Sequence, residues 1–90
     1  KRGLLSTIGA SNAGWRITNL GNGYCTIQTL SGMYYTYATD DNQVKISTLG
    51  DEIPDNYKWR ITIADGGGVL IRNKYYNKYY YPDYIMMIMK

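Results

Sequence analysis

The chain repeats itself at an offset of 44 residues, and that repeat restricts its fold more than any other feature. Trp15-Arg16-Ile17-Thr18 recurs as Trp59-Arg60-Ile61-Thr62, Gly21-Asn22-Gly23 matches Asp65-Gly66-Gly67, and Ile27 matches Ile71. One residue of slippage then sets Gly32-Met33-Tyr34-Tyr35 beside Asn77-Lys78-Tyr79-Tyr80. Upstream of each tryptophan, Ser6-Thr7-Ile8-Gly9 resembles Ser47-Thr48-Leu49-Gly50, followed by loops of unequal length. Two sets of matches in one order imply copies of a single supersecondary unit packed around a shared core.

Within each unit the apolar period is two, which is the period of a strand with one buried face. Trp15 and Ile17 share a face, with Arg16 and Thr18 on the other; Cys25 and Ile27 alternate with Tyr24, Thr26 and Gln28. Val69 and Ile71 repeat that inward pair, and Tyr35, Tyr37, Val44 and Ile46 continue the alternation. Asn22-Gly23 and Asp65-Gly66 are hairpin signals, because such turns need positive φ. Ser31-Gly32 and Asp40-Asp41-Asn42 mark further turns. Pro54 falls in the loop before Trp59, and Pro82 implies a strand end or edge. These patterns predict nine strands, near 4–8, 14–19, 23–28, 33–38, 43–48, 58–63, 68–73, 78–82 and 84–89, with no amphipathic helix. The expected division is the end of one repeat over 1–20, a complete repeat over 21–64 and the start of another over 65–90.

Composition narrows the function classes. The 90 residues include 11 Tyr and 2 Trp but no Phe, which suits half-buried strands whose rings pack while their hydroxyls stay wet. A formal charge of +3 does not call for nucleic acid. The lone Cys25 excludes an internal disulfide, and its alternation with Ile27 makes it a small buried hydrophobe. The run Tyr84–Met89 is too short to span a bilayer, so no membrane span is expected; the expectation is a soluble protein, cytoplasmic or secreted without disulfides. The absence of His removes the Ser-His and Cys-His nucleophile arrangements, and one Cys makes no thiolate zinc site. The carboxylate pairs Asp40/Asp41 and Asp51/Glu52 fall in expected surface turns, which are poor places for an acid catalyst. The expectation is a binding module without cofactor, not an enzyme.

Three segments carry a family resemblance: Gly23-Tyr24-Cys25-Thr26-Ile27, Ser31-Gly32-Met33-Tyr34-Tyr35 and Trp59-Arg60-Ile61. In that order and spacing they resemble the ricin-B-type (R-type) β-trefoil lectin family over about residues 4–88. The resemblance implies a three-fold pseudosymmetric barrel of four-strand units capped by hairpins. It also implies glycan or glycoprotein partners. The family's Gln-x-Trp hallmark keeps its tryptophans here, with Ala13 and Tyr57 at the glutamine positions. Nine strands of an implied twelve leave the barrel incomplete, so a missing segment or a second chain is expected to complete it; unprotected sheet edges favour the missing segment.

The family's sugar site combines an Asp, an aromatic platform and an Asn. In the complete unit these positions fall on Thr36, Ser47 and Asn56, of which Asn56 keeps the family's type. Asn12 and Ser6 stand at equivalent places before Trp15, and Tyr81, followed by Asp83, stands at the Asp position of the last unit. A carboxylate accepts two hydroxyls by charge-assisted bonds, whereas a threonine offers one neutral partner. The adjacent loop Asp40-Asp41-Asn42 and the tyrosines therefore join the expected carbohydrate contacts.

Blander readings stand beside these. Trp15 and Trp59 fit core packing, Asp40-Asp41-Asn42 a solvated turn, and Asn12 and Asn56 loop-fixing side-chain bonds. The stretch Arg72–Tyr81 mixes charge with tyrosine as single-strand nucleic-acid binders do. Its counterpart Gln28–Thr36 lacks the charge, so a Tyr-rich strand pair is expected, with no nucleic-acid partner. The alternative function is a protein-binding trefoil, such as a protease inhibitor, acting through the loops Leu49–Lys58 and Ala38–Asn42; a purely structural role is the third.

Overall fold

A computed structural model describes residues 15–81. They form an all-β structure of seven strands with one single-turn 3-10 helix at Asp55–Tyr57. The strands are β1 (Trp15–Gly21), β2 (Tyr24–Thr29), β3 (Tyr35–Ala38), β4 (Val44–Ser47), β5 (Trp59–Ile63), β6 (Val69–Asn73) and β7 (Tyr79–Tyr80). Each lies within one of the strands predicted over 14–82 or within two residues of it. The predicted strands at 4–8 and 84–89, together with Asn12 and Asp83, lie outside the described residues. No helix among the described residues is long and apolar enough to cross a membrane.

All pairings are antiparallel. The sheet runs β4-β3-β2-β5-β6-β7, with β1 also paired to β2, and among the described residues it is open rather than closed into a barrel. The repeat is written into its register: Trp15 faces Thr29 and Ile17 faces Ile27 across β1–β2, while Trp59 faces Asn73 and Ile61 faces Ile71 across β5–β6. Every one of those positions moves by the same 44 residues. Strand β2 is the centre of the sheet. It pairs along its length with β1, meets β3 at Gln28–Tyr35, and meets β5 at Cys25–Trp59.

Turn chemistry explains the hairpins. Asn22 and Gly23 both hold positive φ, at 55° and 83°, as a tight β1–β2 connection requires. Gly23 has a second duty, because a Cβ there would sit 3.3 Å from the Arg60 guanidinium. Between β5 and β6, the Ala64 amide donates to Gly68 O (2.7 Å) and the Gly67 amide to Ala64 O (3.0 Å).

The inward positions build one core from Trp15, Cys25, Ile27, Ala38, Val44, Trp59, Ile71 and Tyr80. Trp59 is fully buried and meets Tyr80 edge to face at 5.3 Å. Its indole Nε1 donates to Thr36 O (3.3 Å). The tryptophans are thus core anchors. Burial of Cys25 pushes its thiol pKa up to about 11.

The outward face of β2 departs from simple alternation. Thr26 and Gln28 are buried as well. The Gln28 Oε1 accepts from the hydroxyls of Thr18 (2.8 Å) and Thr26 (2.7 Å), and its Nε2 donates to Gly32 O (3.0 Å). A covered polar face stays stable only when its groups are paired in this way.

Candidate functional site

Two loops 36 residues apart in sequence meet at one end of the sheet: the β3–β4 turn and the approach to β7. In the first, the Thr39 amide donates to Gln43 O (2.9 Å) and the Gln43 amide to Thr39 Oγ1 (3.1 Å). The Thr39 hydroxyl also donates to the Asp41 carboxylate. Asn42 completes the turn at φ 64°, a left-handed conformation that asparagine tolerates. Asp40, Asp41 and Asn42 are therefore exposed but held in place.

The second loop is shaped by Asn73, at the end of β6. Its side chain is fully buried, and its Oδ1 accepts from the amides of Tyr75 (3.0 Å) and Tyr76 (3.1 Å). Its Nδ2 donates to Asn56 O (2.9 Å), which ties this turn to the 3-10 helix. The Asn77 amide donates to Asn73 O (2.9 Å), and Asn77 turns the chain at φ 60°. Lys78 then reaches across, and its Nζ donates to Asn42 Oδ1 (2.7 Å).

Asn42, Lys78, Tyr79, Tyr80 and Tyr81 line a cleft of about 340 Å³. Small-molecule sites start near this size. Tyr81 is 82% exposed, so its ring is free to cover a ligand. Tyr76 packs against the core beside the acidic turn. Burial, with the nearby charges of Asp40 and Asp41, holds its phenol above the usual tyrosine range. A cleft of this kind presents an amide, an ammonium and aromatic surface together, and Asp40 and Asp41 share the turn that carries Asn42. Such groups can hydrogen-bond several hydroxyls and cover an apolar ring face.

The expected site residues divide. Asn42 and Tyr81 line this cleft, and Asp40 and Asp41 share the Asn42 turn. Thr36 does not belong with them. It is fully buried; its hydroxyl donates to Ile27 O (2.9 Å), and its carbonyl accepts the Trp59 indole, so it cannot meet a surface ligand. Asn56 spends its Nδ2 on Ala38 O (3.1 Å), fixing its loop to β3. Stacking of Tyr57 on Tyr37 at 4.8 Å fixes it further. Ser47, at the end of β4, donates to Thr48 O (3.0 Å) and is not among the residues lining the cleft. Asn12 and Asp83 lie outside the described residues.

Sequence reasoning missed Lys78, and it offered the tyrosines as a class without singling out Tyr79 and Tyr80. The alignment of Asn77–Tyr80 with Gly32–Tyr35 marked where these residues enter a strand but not which loop they would meet. Among the described residues, no three of His, Cys, Asp and Glu converge as metal ligands. No protein-family model, curated protein or solved structure matches the chain.

Proposed function

We propose that the chain is a non-catalytic, carbohydrate-binding module of β-trefoil type, taking glycan in the cleft beside Asn42 and Lys78. The observation that carries this reading is the meeting of Asn42, Lys78 and Tyr79–Tyr81 around one cleft, with Asp40 and Asp41 beside it. The trefoil assignment draws support from the register. β2 lies between two tryptophan-bearing strands, the β3–β4 hairpin branches from it, and the same ladder recurs 44 residues later. The ricin-B-type resemblance supplies the class of partner. The ligand contacts it implies at Thr36 and Asn56 are replaced by the Asp40–Asn42 turn and the tyrosines. On this reading the barrel is completed by a further segment or a second chain.

Titration of the ¹⁵N-labelled protein with neutral mono- and disaccharides tests the proposal. Amides of residues 39–43 and 78–81 should shift together, and Tyr81→Ala should weaken binding by about tenfold, the loss of one stacked ring. Absence of any shift at tens of millimolar sugar would remove the lectin reading.

A further inference from the structure

The register places a row of four side chains across β2, β5, β6 and β7. Pairing of Cys25 with Trp59 sets Tyr24 beside Arg60; Arg60 lies directly opposite Arg72, and Arg72 opposite Tyr79. The order is tyrosine, arginine, arginine, tyrosine. Like charges facing each other across antiparallel strands are destabilising. Each guanidinium packs against the tyrosine next to it: the Arg60 guanidinium carbon lies 4.5 Å from the Tyr24 ring centre, and that of Arg72 lies 5.7 Å from Tyr79. Lys74 adds a third cation, its Nζ 5.0 Å from the Tyr24 ring centre.

No described carboxylate neutralises the two arginines. The ion pairs among the described residues join Asp55 to Lys58 (3.1 Å) and to Lys74 (3.4 Å). Both lysines, assisted by hydrogen bonds from Lys58 first, hold the Asp55 carboxyl below its usual range. Arg60 donates to Asn22 O at 3.4 Å, a long bond. The Nε of Arg72 is buried and has no hydrogen-bond partner. A buried, charged donor left unpaired is costly, and a like-charged neighbour raises that cost.

We infer that Arg60 and Arg72, flanked by Tyr24 and Tyr79, form a binding site for a tetrahedral oxyanion of the sulfate or phosphate type. Such an ion accepts from both guanidiniums at once and cancels the repulsion between the strands. The tyrosines hold the two guanidinium carbons over their rings by cation–π attraction. The ion is either free or borne as an ester on a small molecule such as a sugar, and the same two arginines serve both. This site shares Tyr79 with the Asn42–Lys78 cleft, but its two arginines do not line that cleft, and it does not depend on glycan binding there.

Calorimetric titration with sodium sulfate and inorganic phosphate, against sodium chloride at matched ionic strength, tests the inference. Further arms use a monosaccharide sulfate, a monosaccharide phosphate and the uncharged parent sugar. Sulfate or phosphate should bind where chloride does not, and Arg60→Gln or Arg72→Gln should weaken binding by about tenfold each. Arg72→Lys keeps the charge but removes the planar, forked donor group, so it should lose affinity as well. Lys45→Gln, an exposed charge on β4, should bind as the wild type does. Tighter binding of the esters than of the inorganic ions identifies an ester as the occupant; equal binding identifies the free ion. Equal heats from chloride, or unchanged binding by a folded Arg60→Gln/Arg72→Gln protein, overturn the inference. Asp41→Ala and Tyr81→Ala should not alter oxyanion binding, so failure of the glycan cleft and failure of this site are told apart.

Discussion

Replacing Asn73 with alanine removes three hydrogen bonds from one buried side chain. Its Oδ1 holds the amides of Tyr75 and Tyr76, and its Nδ2 holds Asn56 O. A typical intramolecular bond contributes about 1 kcal/mol net, and a partner left buried without water costs more. The Tyr75 amide lies in an exposed turn and can recover water, whereas Asn56 O lies between the turn and the 3-10 helix. The expected loss is therefore about 3 kcal/mol, a large share of the roughly 5–15 kcal/mol that holds a domain folded. The repeat supplies an internal control. Thr29 stands opposite Trp15 as Asn73 stands opposite Trp59. Its hydroxyl makes weaker, exposed contacts, to Ser31 Oγ (3.1 Å) and the Tyr34 amide (3.4 Å). Thr29→Ala should cost about 0.5 kcal/mol. Equilibrium urea unfolding followed by tryptophan fluorescence measures both. Equal losses at the two sites, or a loss below about 1 kcal/mol for Asn73→Ala, would refute the assignment of Asn73 as the anchor of this loop.

Two further perturbations test the core. Trp59→Phe discards the Nε1 bond to Thr36 O, whereas the Trp15 Nε1 is buried with no partner among the described residues. Trp59→Phe should thus cost about 1 kcal/mol more than Trp15→Phe in thermal or urea unfolding, and the opposite order would contradict the pairing. The Cys25 thiol, with its pKa at about 11, should react slowly with iodoacetamide at pH 8.5 in the folded protein and quickly in urea. Its raised pKa means that the unfolded chain gives up the proton first. The contribution of Cys25 to stability is therefore complete below pH 9.0 and declines between pH 9.0 and about 11. Cys25→Ala should flatten that part of the stability curve relative to wild type.

How far the fold could be read from residues alone depended on what each residue had to satisfy. Trp15, Ile17, Trp59 and Ile61 follow the period of a half-buried strand, and Asn22-Gly23 can hardly be anything but a tight turn, so the strands were legible. Burial of Thr26 and Gln28 was not. Their polarity suggests a wet face, but β2 is central, and the Gln28 amide closes a network with Thr18, Thr26 and Gly32. Thr36 misled for a related reason: a short hydroxyl can serve a ligand or a neighbouring carbonyl, and local sequence does not distinguish them. Asn42 and Tyr81 were readable as polar and aromatic groups near turns. Their convergence with Lys78 was not, because that contact joins loops whose separation is set by sheet register.

The shared ladder of β1–β2 and β5–β6 has an evolutionary consequence. Where two copies keep the same backbone frame, substitutions in the connecting loops of one copy leave the other copy's frame intact. The loop after β6 carries Lys74 and Lys78, while the loop after β2 carries Ser31 and Met33. Repeated units of this kind can change their surface chemistry one loop at a time, without risking the scaffold beneath.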